Sequence, residues 1–208
     1  MLNGIGSRME VWQSLALRFA AERAVVLVDA PGTGDSPVPR RPLRMPDLAG
    51  LVAGLLDVLV LERVDVLGYS WGGLLAQQFA RDEPARVRRL VLASTTPGLG
   101  GRPPGPWAML PALSLTTVLL RQHTRPLGYA AQLYAYTGWT SLPWLHRVRH
   151  PTLVVGGSKD PLVPVQNLRV LASRLPHARL EILPDAGHLW LLERPDQGAA
   201  IISGFLGA

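Results

Sequence analysis

The chain has 208 residues, enough for one domain with a sizeable core. Hydrophobic residues make up 48% and charged residues 17%, a globular and not a disordered composition. Basic residues outnumber acidic ones 21 to 15, and the absence of cysteine excludes disulfides, thiolate metal sites and a cysteine nucleophile.

In chain order, Ala24–Asp29 is a continuous apolar, β-branched run and is predicted to be a strand buried on both faces. Pro31-Gly32-Thr33-Gly34 breaks it into a loop. Apolar residues at helical spacing predict a helix over Asp47–Leu61, with Asp47 as its N-cap. Val64–Gly68 is a second buried strand, followed by a helix over Trp71–Arg81 and a third strand at Leu90–Ser94. Thr152–Gly156 is a fourth strand, Val165–Leu175 a helix and Leu180–Leu183 a fifth strand. Asp196–Leu206 closes the chain as a short helix weakened by two glycines. Alternating strands and helices, with strands apolar throughout, imply a mainly parallel sheet covered on both sides. Pro97–Pro151 interrupts the alternation and is too long for a plain loop. The expected organisation is a core over 1–96, an insertion over 97–151 and the rest of the core over 152–208.

Met1–Gly6 has neither the basic nor the apolar region of a secretory signal. Leu48–Leu61 and Pro106–Leu120 are interrupted by Asp57 and Pro111, so neither reaches the roughly 18 apolar residues of a membrane span. The expectation is a soluble cytoplasmic protein. The charge is uneven: nine basic residues from Arg86 to Lys159 meet no acidic residue between Glu83 and Asp160. No nucleic-acid recognition motif accompanies them, so a solvated arginine-rich surface is the favoured reading and no nucleic-acid partner is expected.

Gly68-Tyr69-Ser70-Trp71-Gly72 sits where a buried strand meets a helix. That context suits a nucleophile elbow, in which the Ser oxygen projects above the sheet at a helix N-terminus. His188, in Gly187-His188-Leu189 after the last strand, is the candidate base. Asp160, following the fourth strand, is the candidate carboxylate that orients it, with Asp185 as the runner-up. A structural role is favoured for Asp29. All three candidates fall at carboxyl ends of predicted strands, where open α/β sheets place their sites. Backbone N–H groups of Trp71 and of Ile5, in the Gly-rich Asn3-Gly4-Ile5-Gly6, are the candidate oxyanion donors.

The order Ser70, Asp160, His188 is that of the α/β-hydrolase superfamily. The chain more narrowly resembles intracellular medium-chain poly(3-hydroxyalkanoate) depolymerases. The similarity rests on Asn3-Gly4-Ile5-Gly6, Asp29-Ala30-Pro31-Gly32, Ser70-Trp71-Gly72-Gly73 with Gln77-Gln78, Gly138-Trp139-Thr140-Ser141, Trp144-Leu145-His146, Asp160-Pro161-Leu162 and Gly187-His188-Leu189. The resemblance implies an α/β-hydrolase fold with the insertion as a helical cap, and hydrolysis of a storage polyester through an acyl-enzyme. No metal or organic cofactor is implied. The partner would be a hydrophobic ester or polyester, at a storage-granule surface. Trp139, Trp144 and Trp190 are candidate pocket residues; the aromatic insertion, including Trp107, fits acyl-chain contact and plain packing equally well.

Two departures stand out. The insertion is shorter than in those relatives. In the superfamily a strand leading into the oxyanion loop lies between the strands assigned here to Ala24–Asp29 and Val64–Gly68, whereas only Met1–Asn3 corresponds to it. The expectation is a gap between those strands, with unpaired backbone groups, and a true start upstream of Met1 or a fragment. Two readings remain beside the depolymerase: a small-ester carboxylesterase, lactonase or thioesterase on the same scaffold, and a non-catalytic binding protein that kept the fold.

Overall fold

The computed structural model describes residues 1–105 and 126–207; Pro106–Leu120, Trp107 and His123 therefore lie outside the described residues. Four parallel strands, β1 (Val64–Tyr69), β2 (Val87–Ala93), β3 (Thr152–Gly157) and β4 (Ala178–Leu183), pair in sequence order. The helices are α1 (Gln13–Ala20), α2 (Met45–Val58), α3 (Trp71–Asp82), α4 (Pro126–Tyr136), α5 (Val165–Arg174), α6 (Trp190–Glu193) and α7 (Pro195–Leu206).

Side chains alternate across each strand, so the sheet feeds two cores. Val66, Leu90, Leu92 and Val154 pack with α2, α3 and α5 through Met45, Leu48, Leu74, Phe79, Leu168 and Leu171. Leu67, Val91, Leu153 and Val155 pack on the opposite face with Trp12, Leu15 and Phe19 around α1 and with Trp190, Ile202 and Leu206 of α6 and α7. A parallel sheet needs both faces covered, and its uninterrupted apolar strands are the sequence signature of that arrangement. The α/β class is borne out.

Two local readings need correction. Ala24–Asp29 forms no strand ladder; its one bridge is Val28 to Leu2, and Leu2 also bridges Gly68, both in parallel sense. Leu2 thus makes the bridges between the run and β1, with the Met1 amine donating to Val26 O at 2.6 Å beside it. Below it, Val25, Val26 and Val28 face Val64 and Val66 across a cavity of about 320 Å³. A β-branched run becomes a strand only where a neighbour supplies a ladder of backbone partners, and here the ladder is a single bridge. Helix α2 begins two residues before the expected Asp47, at Met45, with Pro46 in its first turn. Asp47 is therefore the third residue of the helix, where its Oδ2 accepts the Arg44 N–H at 2.8 Å, the carboxylate half of a capping box.

Three members of the basic block are paired with carboxylates on separate segments. Arg86 pairs with Asp57 of α2, Arg88 with Asp65 of β1, and Lys159 with Asp185. Between β2 and β3, Gly98 bridges Thr140 in antiparallel sense and α4 lies against the body. Among the described residues no helix is long and apolar enough to cross a membrane.

Candidate active site

Ser70 caps α3 at the end of β1 with φ 52° and ψ −118°, a conformation rare for a residue with a Cβ. Neighbours hold it there. Its N–H donates to Ala93 O at 2.9 Å, and its C=O accepts from Gly73 N–H at 2.9 Å and from the Thr95 hydroxyl at 2.7 Å. The turn requires glycine on either side. A Cβ on Gly68 would meet Ala76 Cβ and Gly72 O at 2.5 Å, and one on Gly72 would collide with the carbonyls of Leu2 and Asn3. The second contact explains how the Asn3–Gly6 loop comes to lie over the elbow: a bare Cα lets its backbone approach.

His188 is buried in the turn after β4, and the phenol of Tyr69 donates to its carbonyl at 2.5 Å. The Tyr69 and His188 rings also pack, 5.4 Å between centroids. Burial, with the nearby charges of Asp160 and Glu193, holds the Tyr69 phenol well above its ordinary pKa, so it stays a donor. His188 Nε2 lies 3.1 Å from Ser70 Oγ, and Nδ1 lies 2.7 Å from Asp160 Oδ2. Asp160 is fixed in turn by its other oxygen, which accepts the backbone N–H groups of Leu162 at 2.9 Å and Val163 at 2.8 Å. A carboxylate can only accept, so in the neutral ring Nδ1 carries the proton and Nε2 is left with its lone pair facing the serine. The arrangement can take the Ser70 proton and carry the resulting charge.

The three residues read from the sequence as nucleophile, base and carboxylate are therefore hydrogen-bonded in one chain. Asp185 is not part of it: its side chain is exposed and pairs with Lys159 at 2.7 Å. Asp29 accepts the Met9 N–H at 2.7 Å and has its pKa raised by burial. Ile5 lies in a turn closed by Ser7 N–H to Gly4 O at 3.1 Å, in the loop that passes over Ser70.

The tryptophans expected at the pocket take other positions. Trp190 is fully buried in the core beside α7, its indole N–H donating to Ser94 Oγ at 3.0 Å. Trp139 donates to Gln78 Oε1 at 2.6 Å and packs edge-on against Trp144, over which Arg81 lies at 5.0 Å. Gln78 and Arg81 are two to three helical turns beyond Ser70, so these rings clamp the far half of α3. Trp190 follows the candidate base closely in sequence and Trp139 belongs to the aromatic insertion, but neither position sets the direction of a side chain. Missed altogether were Tyr69, whose hydroxyl supports the histidine turn, and Gln132 of α4, whose Oε1 accepts the Gly6 N–H at 2.6 Å.

A family model described as the alpha/beta hydrolase family matches residues 1–201. The chain is 39% identical to a poly(3-hydroxyalkanoate) depolymerase of Ectopseudomonas oleovorans, covering 99% of this chain and 83% of that one. It is 31% identical to a pimeloyl-[acyl-carrier protein] methyl ester esterase of Aromatoleum aromaticum, covering 97% and 95%. Among solved structures, the enol-lactonase from Burkholderia xenovorans LB400 superposes with a TM-score of 0.86 at 26% identity, covering 99% of this chain and 89% of the other. Fold, sequence similarity and family match agree that this chain belongs to the alpha/beta hydrolase family.

Proposed function

We propose that the protein is a serine ester hydrolase that cleaves poly(3-hydroxyalkanoate) or its oligoesters to hydroxyacids. The carrying observation is the continuous hydrogen-bond chain Ser70–His188–Asp160, at 3.1 and 2.7 Å. Ser70 Oγ attacks the ester carbonyl carbon while His188 Nε2 takes its proton. The tetrahedral oxyanion is held by the N–H groups of Ile5 and Trp71. The alcohol leaves with the proton from His188, and Ser70 is left acylated. Water, deprotonated by His188, then attacks the acyl carbon and releases the acid. Asp160 fixes the tautomer and stabilises the imidazolium throughout. No cofactor enters either half-reaction. The described part of the segment between β2 and β3 caps this site through α4, and the place of action is a cytoplasmic storage granule.

The depolymerase reading is supported by 39% identity to a relative of that name over nearly the whole chain. A second reading, hydrolysis of small esters or lactones, is supported by the likeness to the enol-lactonase structure. A substrate series separates them: p-nitrophenyl esters of rising chain length, a lactone, and polyester granules. Release of hydroxyacids from granules, with a preference for medium-chain esters, is expected. Turnover confined to short esters or lactones, with inert granules, would favour the second reading.

A further inference from the structure

We infer that Gln132 is a positioning residue through which α4, in the segment between β2 and β3, sets the geometry of the oxyanion site. The inference rests on the proposed acyl-transfer chemistry. Gln132 is buried at 3% exposure on the inner face of α4. It touches the backbone next to one proposed oxyanion donor and the side chain of the residue that carries the other. Its side-chain Oε1 accepts the Gly6 N–H at 2.6 Å, and its backbone carbonyl accepts the indole N–H of Trp71 at 3.0 Å. The first bond fixes the peptide plane that follows Ile5, in a turn where Gly6 holds φ 67°. The second fixes the side chain of the residue after the serine. The two donors come from the N-terminal loop and from α3, and Gln132 ties the residue after the first to the side chain of the second.

The rest of α4 is anchored elsewhere. Gly128 abuts the backbone of Gly32 so closely that neither position has room for a Cβ. The Arg44 guanidinium donates to the carbonyls of Tyr134 at 3.0 Å and Thr137 at 2.7 Å and lies 4.1 Å over the Tyr134 ring. Those contacts tie α4 to the body. The Gln132 bonds add something different: they hold the loop beside Ile5 and the Trp71 side chain through the Gln132 amide and carbonyl themselves, and not through the anchoring of α4 at large. Oxyanion donors act only when aimed at where the charge develops, so a small tilt of the Ile5 N–H, on the peptide next to the one Gln132 holds, costs rate and not substrate affinity.

The test compares Gln132→Leu, Arg44→Ala, Ser70→Ala and the intact protein by steady-state ester kinetics, fluorophosphonate labelling rate and thermal melting. Gln132→Leu keeps the bulk of the side chain and removes the acceptor; Gln132→Met serves if the leucine variant does not fold. The expected result is a kcat lower by about ten- to a hundredfold, below the full loss of one oxyanion donor, with KM within about twofold. Labelling slows in proportion, because phosphonylation uses the same donors. Arg44→Ala loosens α4 away from the site and is expected to lower the melting temperature while kcat holds. A wild-type kcat in Gln132→Leu, a loss confined to KM, or an equal kcat loss in Arg44→Ala overturns the inference. Turnover retained by Ser70→Ala overturns the acyl-transfer reading itself, and the inference with it.

Discussion

Asp160→Asn separates the chemical role of the carboxylate from its structural one. Oδ1 of Asp160 accepts the N–H groups of Leu162 and Val163, and Oδ2 accepts from His188 Nδ1. An asparagine can keep its one oxygen on the two backbone donors, and its NH2 then faces His188. Two N–H donors cannot share that contact, so the imidazole is driven to the tautomer with Nδ1 bare and Nε2 protonated. That tautomer cannot take the Ser70 proton. In serine hydrolases of this type the same change costs about 10⁴ in kcat, or about 5.4 kcal/mol at about 1.36 kcal/mol per decade. Removing the serine costs more, about 10⁶. The variant's melting temperature is expected within a few degrees of the parent, because both backbone bonds persist. Asp160→Ala removes the acceptor as well and leaves two N–H groups unpaired, at about 1–3 kcal/mol each. Steady-state ester hydrolysis and a thermal melt on the two variants are sufficient. An Asp160→Asn protein with more than a tenth of the parent kcat, or one that melts as early as Asp160→Ala, would refute the tautomer argument.

Tyr69→Phe deletes the buried donor to the His188 carbonyl; a loss of about 1–3 kcal/mol in stability is expected by denaturant titration, with kcat reduced and KM held. Gly72→Ala places a methyl group on the carbonyls of Leu2 and Asn3; about 1–3 kcal/mol of overpacking strain and a displaced oxyanion loop are expected, read as lower stability and slower fluorophosphonate labelling. Asp29 has its pKa raised by burial, so its charged form is disfavoured in the folded state, and its contribution to stability is greatest below the unfolded carboxylate pKa and is lost as pH rises through the folded one. Asp29→Asn keeps an acceptor for the Met9 N–H and is expected to flatten that part of the stability–pH profile, measured by melts from pH 3 to 7.

Much of the fold is legible in the sequence because a doubly covered parallel sheet writes itself as apolar runs between helices. All four sheet strands were foreseen, with ends shifted by a few residues, as at Val87 and Ala178. The run Ala24–Asp29 has the same composition and no ladder, because strand formation depends on a neighbour and composition does not report one. Ser70, Asp160 and His188 were readable from chain order and strand ends, since topology alone brings those ends to one edge. The tryptophans were not: Trp190 follows His188 by two residues yet points into the core beneath α7. Tyr69 and Gln132 carry no periodic signal. Each acts through a hydrogen bond to backbone distant in sequence, 119 and 126 residues away, which only the folded chain brings within reach.

The central claim is that Ser70 is a nucleophile activated by His188 and backed by an oxyanion site. Treating the intact protein with a fluorophosphonate and mapping the adduct by peptide mass spectrometry tests it most directly. One stoichiometric adduct is expected on Ser70, slowed sharply in His188→Ala and absent in Ser70→Ala. An unlabelled parent protein, or an adduct on any other residue, would contradict it.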